Sequence, residues 1–451
     1  MNTSIVVIGG GLAGREAAKC ANRLGADVAL VTRSLDPGGR LDHTAIRFLA
    51  GESGQIAEAW EPEGPSPGPV YAPAMRETFV GALDIAADIF RNRMAELQDI
   101  GVRVIEGIGS IAATDFVRVT QPEGESEDIR CCAIVLAPGA EPFFGEPSPR
   151  VLMPSALSSL QEIPESLIVL GSSPSALELA NFFAAYGVFV TVVGARRPVL
   201  DFLDADLRSE VVDQAADNQI WILTGVTAIA GTADGHIDIL LSDDSHIDAD
   251  YVLPCGEGNH RTDGLGLEGP GVRTDADGRI VVDEQMRTNI PEIFAVGTAA
   301  GGDTPAIAKR QAKVAAENAM GGESAVRSDL IPKAIWFNPE IGVVGLTEEQ
   351  AVQAGFAVSA FAVCMDLSEE RSAKVIADES TGRMVGLHMV GHGAVEAVHM
   401  GALAMHAGIM LSDIAEITTI AGTMSECVSE ASIRGRFPLP EVVHPLVASP
   451  E

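Results

Sequence analysis

Cysteine, positive charge and long apolar runs are all scarce in this chain of 451 residues. None of its six cysteines forms a Cys-x-x-Cys pair, which argues against a disulfide framework and a thiolate metal site. The chain has 30 lysines and arginines against 63 aspartates and glutamates, and the net charge of −33 argues against nucleic-acid binding. No apolar run is long enough to span a bilayer and no signal peptide is recognisable, so we expect a soluble, cytoplasmic protein.

The acidic excess is spread along the whole chain and does not form a tail. It has two interpretations: solubility, including solubility in a salty cytoplasm, and an acidic surface that meets a basic partner protein. The vicinal pair Cys131-Cys132 precedes the apolar run Ala133–Leu136. We therefore expect both thiols to be buried in a strand.

The first of two glycine-rich turns lies near the N-terminus. The apolar run Ile5–Ile8 leads into Gly9-Gly10-Gly11-Leu12-Ala13-Gly14 and then into a helical pattern. In such a unit Gly9 permits the tight turn, Gly11 lets the backbone approach a pyrophosphate, and Gly14 lets the helix pack closely on the strand. The N–H groups that begin the helix would bind the phosphates. The alternative is a glycine turn without a ligand.

The second turn, Gly171-Ser172-Ser173-Pro174-Ser175-Ala176, follows the apolar run Leu167–Leu170. Ser173 replaces the middle glycine and would crowd a pyrophosphate. In the first unit the acid that usually ends the second strand and binds the adenosine ribose is replaced by Thr32. A hydroxyl carries no charge, so we expect Thr32 to hold a ribose more weakly than an acid would.

The corresponding strand of the second unit ends at Gly194 and is followed by Ala195-Arg196-Arg197. Loss of an acid and gain of two guanidinium groups suits a 2′-phosphate, which favours NADP over NAD. The alternative is that Arg196 and Arg197 lie on a solvated loop.

Together these features resemble the pyridine nucleotide-disulfide oxidoreductase family, and within it dihydrolipoamide dehydrogenase and mercuric reductase. Besides the two turns, the stretches that carry the resemblance are Ile134–Pro142, Thr262–Glu268, Gly278–Asp283 and Asn338–Thr347. The resemblance implies an α/β fold with two Rossmann-like dinucleotide-binding domains and a C-terminal α+β dimerisation domain. The FAD domain would span 1–150 and 266–327, the NAD(P) domain 151–265, the dimerisation domain 328–437, and a tail 438–451. The resemblance also implies FAD, a second cofactor that is NADP or NAD, and a homodimer.

The chain departs from this family at the reactive positions. Family members have two cysteines just after a Gly-Gly pair, but Gly38-Gly39 is followed by Arg40-Leu41-Asp42-His43-Thr44. Their acid/base histidine corresponds to Ala421, whereas the acid that orients it is retained as Glu426. The aspartate that binds the flavin ribityl chain is replaced in the pair Gly297-Thr298. The resemblance therefore predicts an altered flavin site without thiol–disulfide exchange.

Some redox machinery is retained. Glu178 matches the acid that pairs with a lysine beside the flavin and gates the nicotinamide, and Arg47 falls near that lysine's place. A helix glutamate that faces solvent is the alternative for Glu178. His43 could act as an acid/base beside the flavin or be a polar loop residue. Further cofactor contacts are implied at Arg33, Gly39, Arg40, Gly139, Gly171 and Gly256. For His388, His392, His399 and His406 we expect interface or surface roles.

Two functions of different classes follow. The first is an FAD-dependent NAD(P)H oxidoreductase that lacks a redox-active disulfide and passes electrons through flavin to a small acceptor, such as a quinone, or to a partner protein. The second is a non-catalytic homodimer that retains the fold as a regulatory or structural subunit of a redox assembly. Ordinary disulfide reductase activity ranks third.

Overall fold

The structure is a computed structural model that describes residues 4–35, 45–52, 72–142, 149–153, 157, 160, 162–194, 197–232, 237–255, 258–366 and 370–436. The helices are α1 Leu12–Arg23, α2 at residues 45–52, α3 Ala72–Asp99, α4 Pro174–Ala185, α5 Ala205–Asp217, α6 Pro305–Ala319, α7 Glu348–Gln353, α8 Ala394–Ala407, α9 Leu411–Ala415 and α10 Met424–Arg436. Strands β1 to β11 are Ile5–Ile8, Val28–Thr32, Arg103–Glu106, Ile108–Ala113, Phe116–Thr120, Ser126–Arg130, Ala133–Leu136, Ala140–Pro142, Ser166–Leu170, Phe189–Gly194 and Ile220–Thr232. Strands β12 to β21 are Ile237–Leu241, His246–Ala249, Tyr251–Pro254, Gly258–His260, Ile293–Ala295, Lys333–Ile335, Ile341–Gly345, Val358–Asp366, Glu370–Asp378 and Arg383–Val390.

The chain forms two compact units. The first comprises Met1–Asp201, Val212–Ser328 and Ile335–Asn338. The second comprises Phe202–Val211, Asp329–Ala334 and Pro339–Glu451. The second unit therefore takes in the segment Phe202–Val211, which the sequence resemblance places in the NAD(P)-binding domain.

A parallel sheet and a mixed sheet organise the first unit. One has the strand order β16-β7-β1-β2-β3, and every pairing in it is parallel. All residues of β1, β2 and β7 are buried, as expected for parallel strands that are covered on both faces. The other sheet has the order β13-β12-β11-β10-β9-β14, in which β11, β10, β9 and β14 are parallel. A three-stranded sheet, β4-β5-β6, completes the hydrophobic core beside the first sheet.

In each of these sheets the carboxyl end of a central parallel strand leads into a glycine-rich turn and a helix. The strand β1 leads into α1, and β9 leads into α4. In open parallel sheets, ligands bind at this carboxyl edge. The fold therefore places the two predicted turns where dinucleotides bind in Rossmann-like domains.

The second unit is built on the sheet β17-β18-β21-β20-β19, in which β18, β21, β20 and β19 pair antiparallel. Helices α8 and α10 contribute to its core, where Val398 and Cys427 pack with the strand residues Val375 and Leu387. This is the predicted mixed α+β unit.

A buried lysine forms ion pairs with three acidic residues of the second unit. Lys374 is 4% exposed, and its Nζ lies 2.6 Å from Asp204, 2.7 Å from Asp206 and 2.9 Å from Glu348. Nδ1 of His388 accepts a hydrogen bond from the backbone N–H of Asp204 at 3.1 Å, so Nε2 carries the proton and donates to Leu346 O at 3.0 Å. Burial lowers the pKa of His388 to about 4, so the imidazole is neutral near pH 7.

Two sequence expectations need correction here. His388 is fully buried, so a surface or interface role is wrong for this histidine. Cys131 is buried but Cys132 is exposed, and both precede the strand, which begins at Ala133. No helix in the described part of the chain is both long and apolar enough to cross a membrane.

Candidate functional site

The first glycine turn is shaped by close contacts at two of its glycines. A Cβ at Gly9, where φ is +120°, would collide with the carbonyl oxygen of Ala137, and a Cβ at Gly14 would collide with the carbonyl oxygen of Gly9. A Cβ at Gly11, in contrast, would meet no atom within 4 Å. Gly11 is also the N-cap of α1 and supplies no side-chain cap. The start of α1 is therefore open to an anion such as a pyrophosphate.

Thr32 lies directly beneath this turn. It is 6% exposed, and a Cβ added at Gly10 would collide with its hydroxyl oxygen. The hydroxyl donates to the carbonyl oxygen of Ser34 at 3.0 Å. The donor of Thr32 is thus used within its own loop, whereas the following Arg33 is exposed.

The Gly297-Thr298 pair, predicted to lie at the ribityl chain, belongs to a loop that Gln311 organises. The backbone N–H of Gly297 donates to Oε1 of Gln311 at 2.8 Å, and Nε2 of Gln311 donates to Ala300 O at 3.2 Å. Gly297 has a φ of +75°, and a Cβ there would lie 3.0 Å from the Cβ of Ala13 on α1. The structure therefore brings this loop next to the first glycine turn.

The second glycine turn differs from the first at its helix start. Gly171 has a φ of +155°, and a Cβ there would collide with Cys255 O. Ser173 is the N-cap of α4, and its hydroxyl accepts from the backbone N–H of Ala176 at 3.3 Å. Pro174 follows and has no N–H. At α4 the Ser173 hydroxyl therefore satisfies a backbone N–H of the first turn, whereas no side chain caps the start of α1.

Arg197 reaches back to this second turn. Its Nε donates to the Ser172 hydroxyl at 2.9 Å, and its Nη2 lies 3.1 Å from a carboxylate oxygen of Asp303. The structure therefore directs Arg197 toward the turn itself. Its predicted neighbour in the 2′-phosphate site, Arg196, lies outside the described residues.

Arg47, Glu178 and Trp336 form a cluster in the first unit. Nε of Arg47, on α2, lies 3.3 Å from Oε1 of Glu178, on α4, and the guanidinium carbon lies 3.3 Å from the ring centroid of Trp336. The backbone N–H of Trp336 donates to the same Oε1 at 3.3 Å. The Glu178 side chain is 2% exposed, which removes the alternative of a solvent-facing glutamate, and that of Arg47 is 28% exposed.

Burial dominates the protonation of this cluster. It raises the pKa of Glu178 to about 7, although Arg47 and the Trp336 N–H both act in the opposite direction. Burial also lowers the pKa of Arg47, against the attraction of Glu178. The result is a carboxyl group that can exchange a proton near neutral pH beside a fixed guanidinium group.

The sequence relatives place this architecture in a known family. The model of the pyridine nucleotide-disulphide oxidoreductase family matches residues 3–322, and the model of that family's dimerisation domain matches residues 331–432. The chain belongs to this family. Its members are FAD-containing, NAD(P)H-dependent oxidoreductases, so the predicted family, fold class, enzyme class and cofactors are confirmed. The dimerisation domain supports a homodimer.

Similar proteins extend over nearly the whole chain. Dihydrolipoyl dehydrogenase of Halobacterium salinarum is 30% identical over 457 residues, which cover 95% of each chain. Leghemoglobin reductase of Glycine max is 27% identical over 460 residues, which cover 95% of this chain and 87% of the relative. Among solved structures, LpdA from Mycobacterium tuberculosis has a TM-score of 0.80 at 22% identity, covering 96% of this chain and 99% of its own. The Cu(II) complex of the flavoprotein disulfide reductase RclA from Escherichia coli has a TM-score of 0.76 at 20% identity and the same coverage.

The position of the family's acid/base histidine lies in the second unit. Ala421 is exposed, and the carboxylate of Glu426 accepts a hydrogen bond from the backbone N–H of Gly422 at 2.6 Å. Glu426 therefore fixes the turn that begins α10, where there is no imidazole to orient. Its predicted catalytic role has no support in these contacts.

Several predicted positions are outside the described residues, namely Gly39, Arg40, His43 and Gly256. Gly139 is described and has a φ of +79° at the entrance to β8.

Trp336 was not predicted from the sequence. Its only sequence signal is its place just before the Asn338–Thr347 stretch, which gives no indication of a contact with Arg47. In the described part of the chain, no group of three or more histidine, cysteine, aspartate or glutamate side chains could hold a metal ion.

Proposed function

We propose that this protein is an FAD-dependent NAD(P)H oxidoreductase that works without a redox-active disulfide and passes electrons to a small acceptor or a partner protein. The observation that carries the proposal is the Arg47–Glu178–Trp336 cluster, in which the Glu178 carboxyl group is buried. A buried carboxylate that is paired with a guanidinium group is costly, and such groups concentrate at functional sites. Glu178 lies on the first turns of α4, directly after the second glycine turn.

The residues present fit FAD at the first turn. Gly11 leaves an open cradle above the uncapped start of α1, and the Gly297-Thr298 loop lies beside it. The first turn would hold the pyrophosphate and the Gly297-Thr298 loop the ribityl chain. A bound FAD would supply the chemistry of hydride acceptance and electron transfer that no side chain provides.

The cluster would contribute charge and a proton. Arg47 is held by Glu178 on one side and by the indole of Trp336 on the other, so its positive charge is fixed in place. A fixed cation stabilises negative charge that develops during a reduction, because it need not reorganise. With a pKa of about 7, the Glu178 carboxyl can hold or release a proton at physiological pH.

The cysteines support chemistry without a thiolate. Residues 38–44 contain none, and all six cysteines of the chain are free. Burial raises the pKa of four of these thiols to about 11 or 12, at Cys20, Cys131, Cys255 and Cys427. Because the thiolate is the reactive species, these four are poor candidates for disulfide exchange. The soybean relative, by its name a reductase of leghemoglobin, illustrates an acceptor that is a protein.

The first experiment is an absorption spectrum of the purified protein, followed by anaerobic addition of NADPH or NADH. We expect a flavin spectrum that bleaches with at least one nucleotide. Glu178→Gln should slow bleaching at least tenfold, because it removes the anion that holds Arg47. The matched control is Glu77→Gln, an exposed glutamate on α3, which should bleach like the wild type. Turnover of lipoamide or glutathione disulfide by the wild type would contradict the proposal.

A non-catalytic homodimer is the second candidate. It is favoured by the exposed Ala421 in place of a histidine and by Ser173, which caps α4 where a phosphate would bind. A colourless protein that cannot be reconstituted with FAD would support this candidate against the oxidoreductase.

A further inference from the structure

The carboxyl end of β3 lies beside the carboxyl end of β2, where the usual ribose-binding acid is replaced by Thr32. Thr32 and Glu106 are register partners in the parallel pair β2–β3. The backbone N–H of Gly107 donates to Thr32 O at 2.7 Å. Register partners on neighbouring strands point to the same face of a sheet, so both side chains lie on one face at the edge where ligands bind.

Glu106 is also connected to the loop that follows β2. Its Oε1 accepts a hydrogen bond from the backbone N–H of Leu35 at 3.3 Å. Glu106 is partly exposed, and among the described residues no ion pair neutralises it and no hydrogen bond reaches its Oε2. The carboxylate therefore faces the loop after β2 with one oxygen available. Thr32, by contrast, is almost fully buried and donates to Ser34.

We propose that Glu106 binds the adenosine ribose of FAD in place of the missing acid on β2. In a Rossmann-like unit the pyrophosphate lies at the start of the first helix, and the adenosine extends over the end of the second strand. Glu106 is one strand further along, a spacing of about 4.8 Å that its side chain can bridge. The ribose hydroxyls would donate to its carboxylate in charge-assisted hydrogen bonds. This inference rests on the proposed function.

The test compares FAD with FMN, because FMN has no adenosine. Wild type and Glu106→Gln are stripped of flavin, and the affinity for each flavin is measured by titration, together with the melting temperature of the flavin-free protein. We expect Glu106→Gln to bind FAD about tenfold more weakly, from the loss of charge-assisted bonds, and to bind FMN as the wild type does. The melting temperature should be unchanged, because the amide oxygen still accepts from Leu35. Asp27→Asn is the matched control, an exposed acid at the amino end of β2, and should change neither affinity.

Three results would overturn the inference. If Glu106→Gln binds FAD as tightly as the wild type, Glu106 does not hold the ribose, while the proposed function is unaffected. If the variant loses affinity for FAD and for FMN by equal factors, the substitution alters the fold of the site and does not remove a contact to the adenosine. A wild-type protein that binds neither flavin would overturn this inference and the proposed function together.

Discussion

The backbone N–H of Trp336 donates to Oε1 of Glu178 at 3.3 Å, although 158 positions separate the two residues in the chain. The same oxygen lies 3.3 Å from Nε of Arg47, whose guanidinium group stacks on the Trp336 indole. One residue thus contacts both members of the ion pair, with its backbone on the anion and its ring on the cation. Removing any of the three should disturb the other two.

Stability should depend on pH through Glu178. Its pKa rises from 4.5 in the unfolded chain to about 7 in the folded protein, so the folded protein binds this proton more tightly. The contribution is fully present below about pH 4.5 and is lost as the pH rises through 7. Glu178→Gln removes this contribution. The unfolding free energy of the wild type minus that of the variant should therefore fall by about 3 kcal/mol as the pH rises across this window. Urea unfolding at several pH values measures the difference, and a difference that rises with pH would show that the buried group is favoured as an anion.

The stacking of Arg47 on Trp336 should appear as a coupling energy. Trp336→Leu and Arg47→Met each remove one partner, and the double variant removes both. For a partly buried cation–π pair we expect a coupling of about 1 kcal/mol in a double-mutant cycle of unfolding free energies. Additive effects would mean that the two side chains are merely adjacent. The cycle Phe116→Leu with Arg130→Met, a looser pair at 5.8 Å, should give a smaller coupling.

Arg197 and Arg196 should have separable effects on nucleotide binding. Arg197 contacts Ser172 of the second glycine turn and also pairs with Asp303, so Arg197→Ala should weaken NADH and NADPH by the same factor. Arg196→Ala should weaken NADPH alone by about tenfold, because only NADPH has a 2′-phosphate for this guanidinium group to bind. The measurement is the affinity of both nucleotides for each variant. A loss confined to NADPH in Arg197→Ala would restore this residue to the 2′-phosphate site.

Local patterns predicted the two turns well, because the conformation of a glycine turn depends on a few consecutive residues. Gly9 and Gly171 have the positive φ and close approach that exclude any other residue. The sequence also placed Arg47 near Glu178, but only through family resemblance. Trp336 was missed because contact across 158 residues leaves no local periodicity. Lys374 was missed because a lysine in a strand is ordinarily exposed, and only the fold surrounds it with carboxylates.

The acidic surface should make stability depend on salt. The chain has a net charge of −33, so its acidic side chains repel one another. KCl screens this repulsion, with a Debye length of about 10 Å at 0.1 M and about 3 Å at 1 M. We expect the melting temperature at pH 7 to rise by several degrees between about 0.1 and 1 M KCl, because screening relieves the repulsion in the compact state. At pH 5, nearer to the sequence pI of about 4.5, the same addition should have a smaller effect. An equal rise at both pH values would indicate a general salt effect unrelated to net charge.

The buried network of the second unit should make it sensitive to acid. His388 has a pKa lowered from 6.5 to about 4, so its contribution is fully present above pH 6.5 and is lost as the pH falls through 4. Protonation would give Nδ1 a hydrogen where it now accepts from the Asp204 N–H, and would add a charge near Lys374 and Lys333. The unfolding free energy should therefore fall by about 3 kcal/mol between pH 6.5 and 4, relative to a variant without this group. His388→Gln keeps one acceptor and one donor and should lose this dependence. The exposed His399→Gln should retain it, and identical acid profiles for the two variants would show that the imidazole of His388 is not the group that titrates.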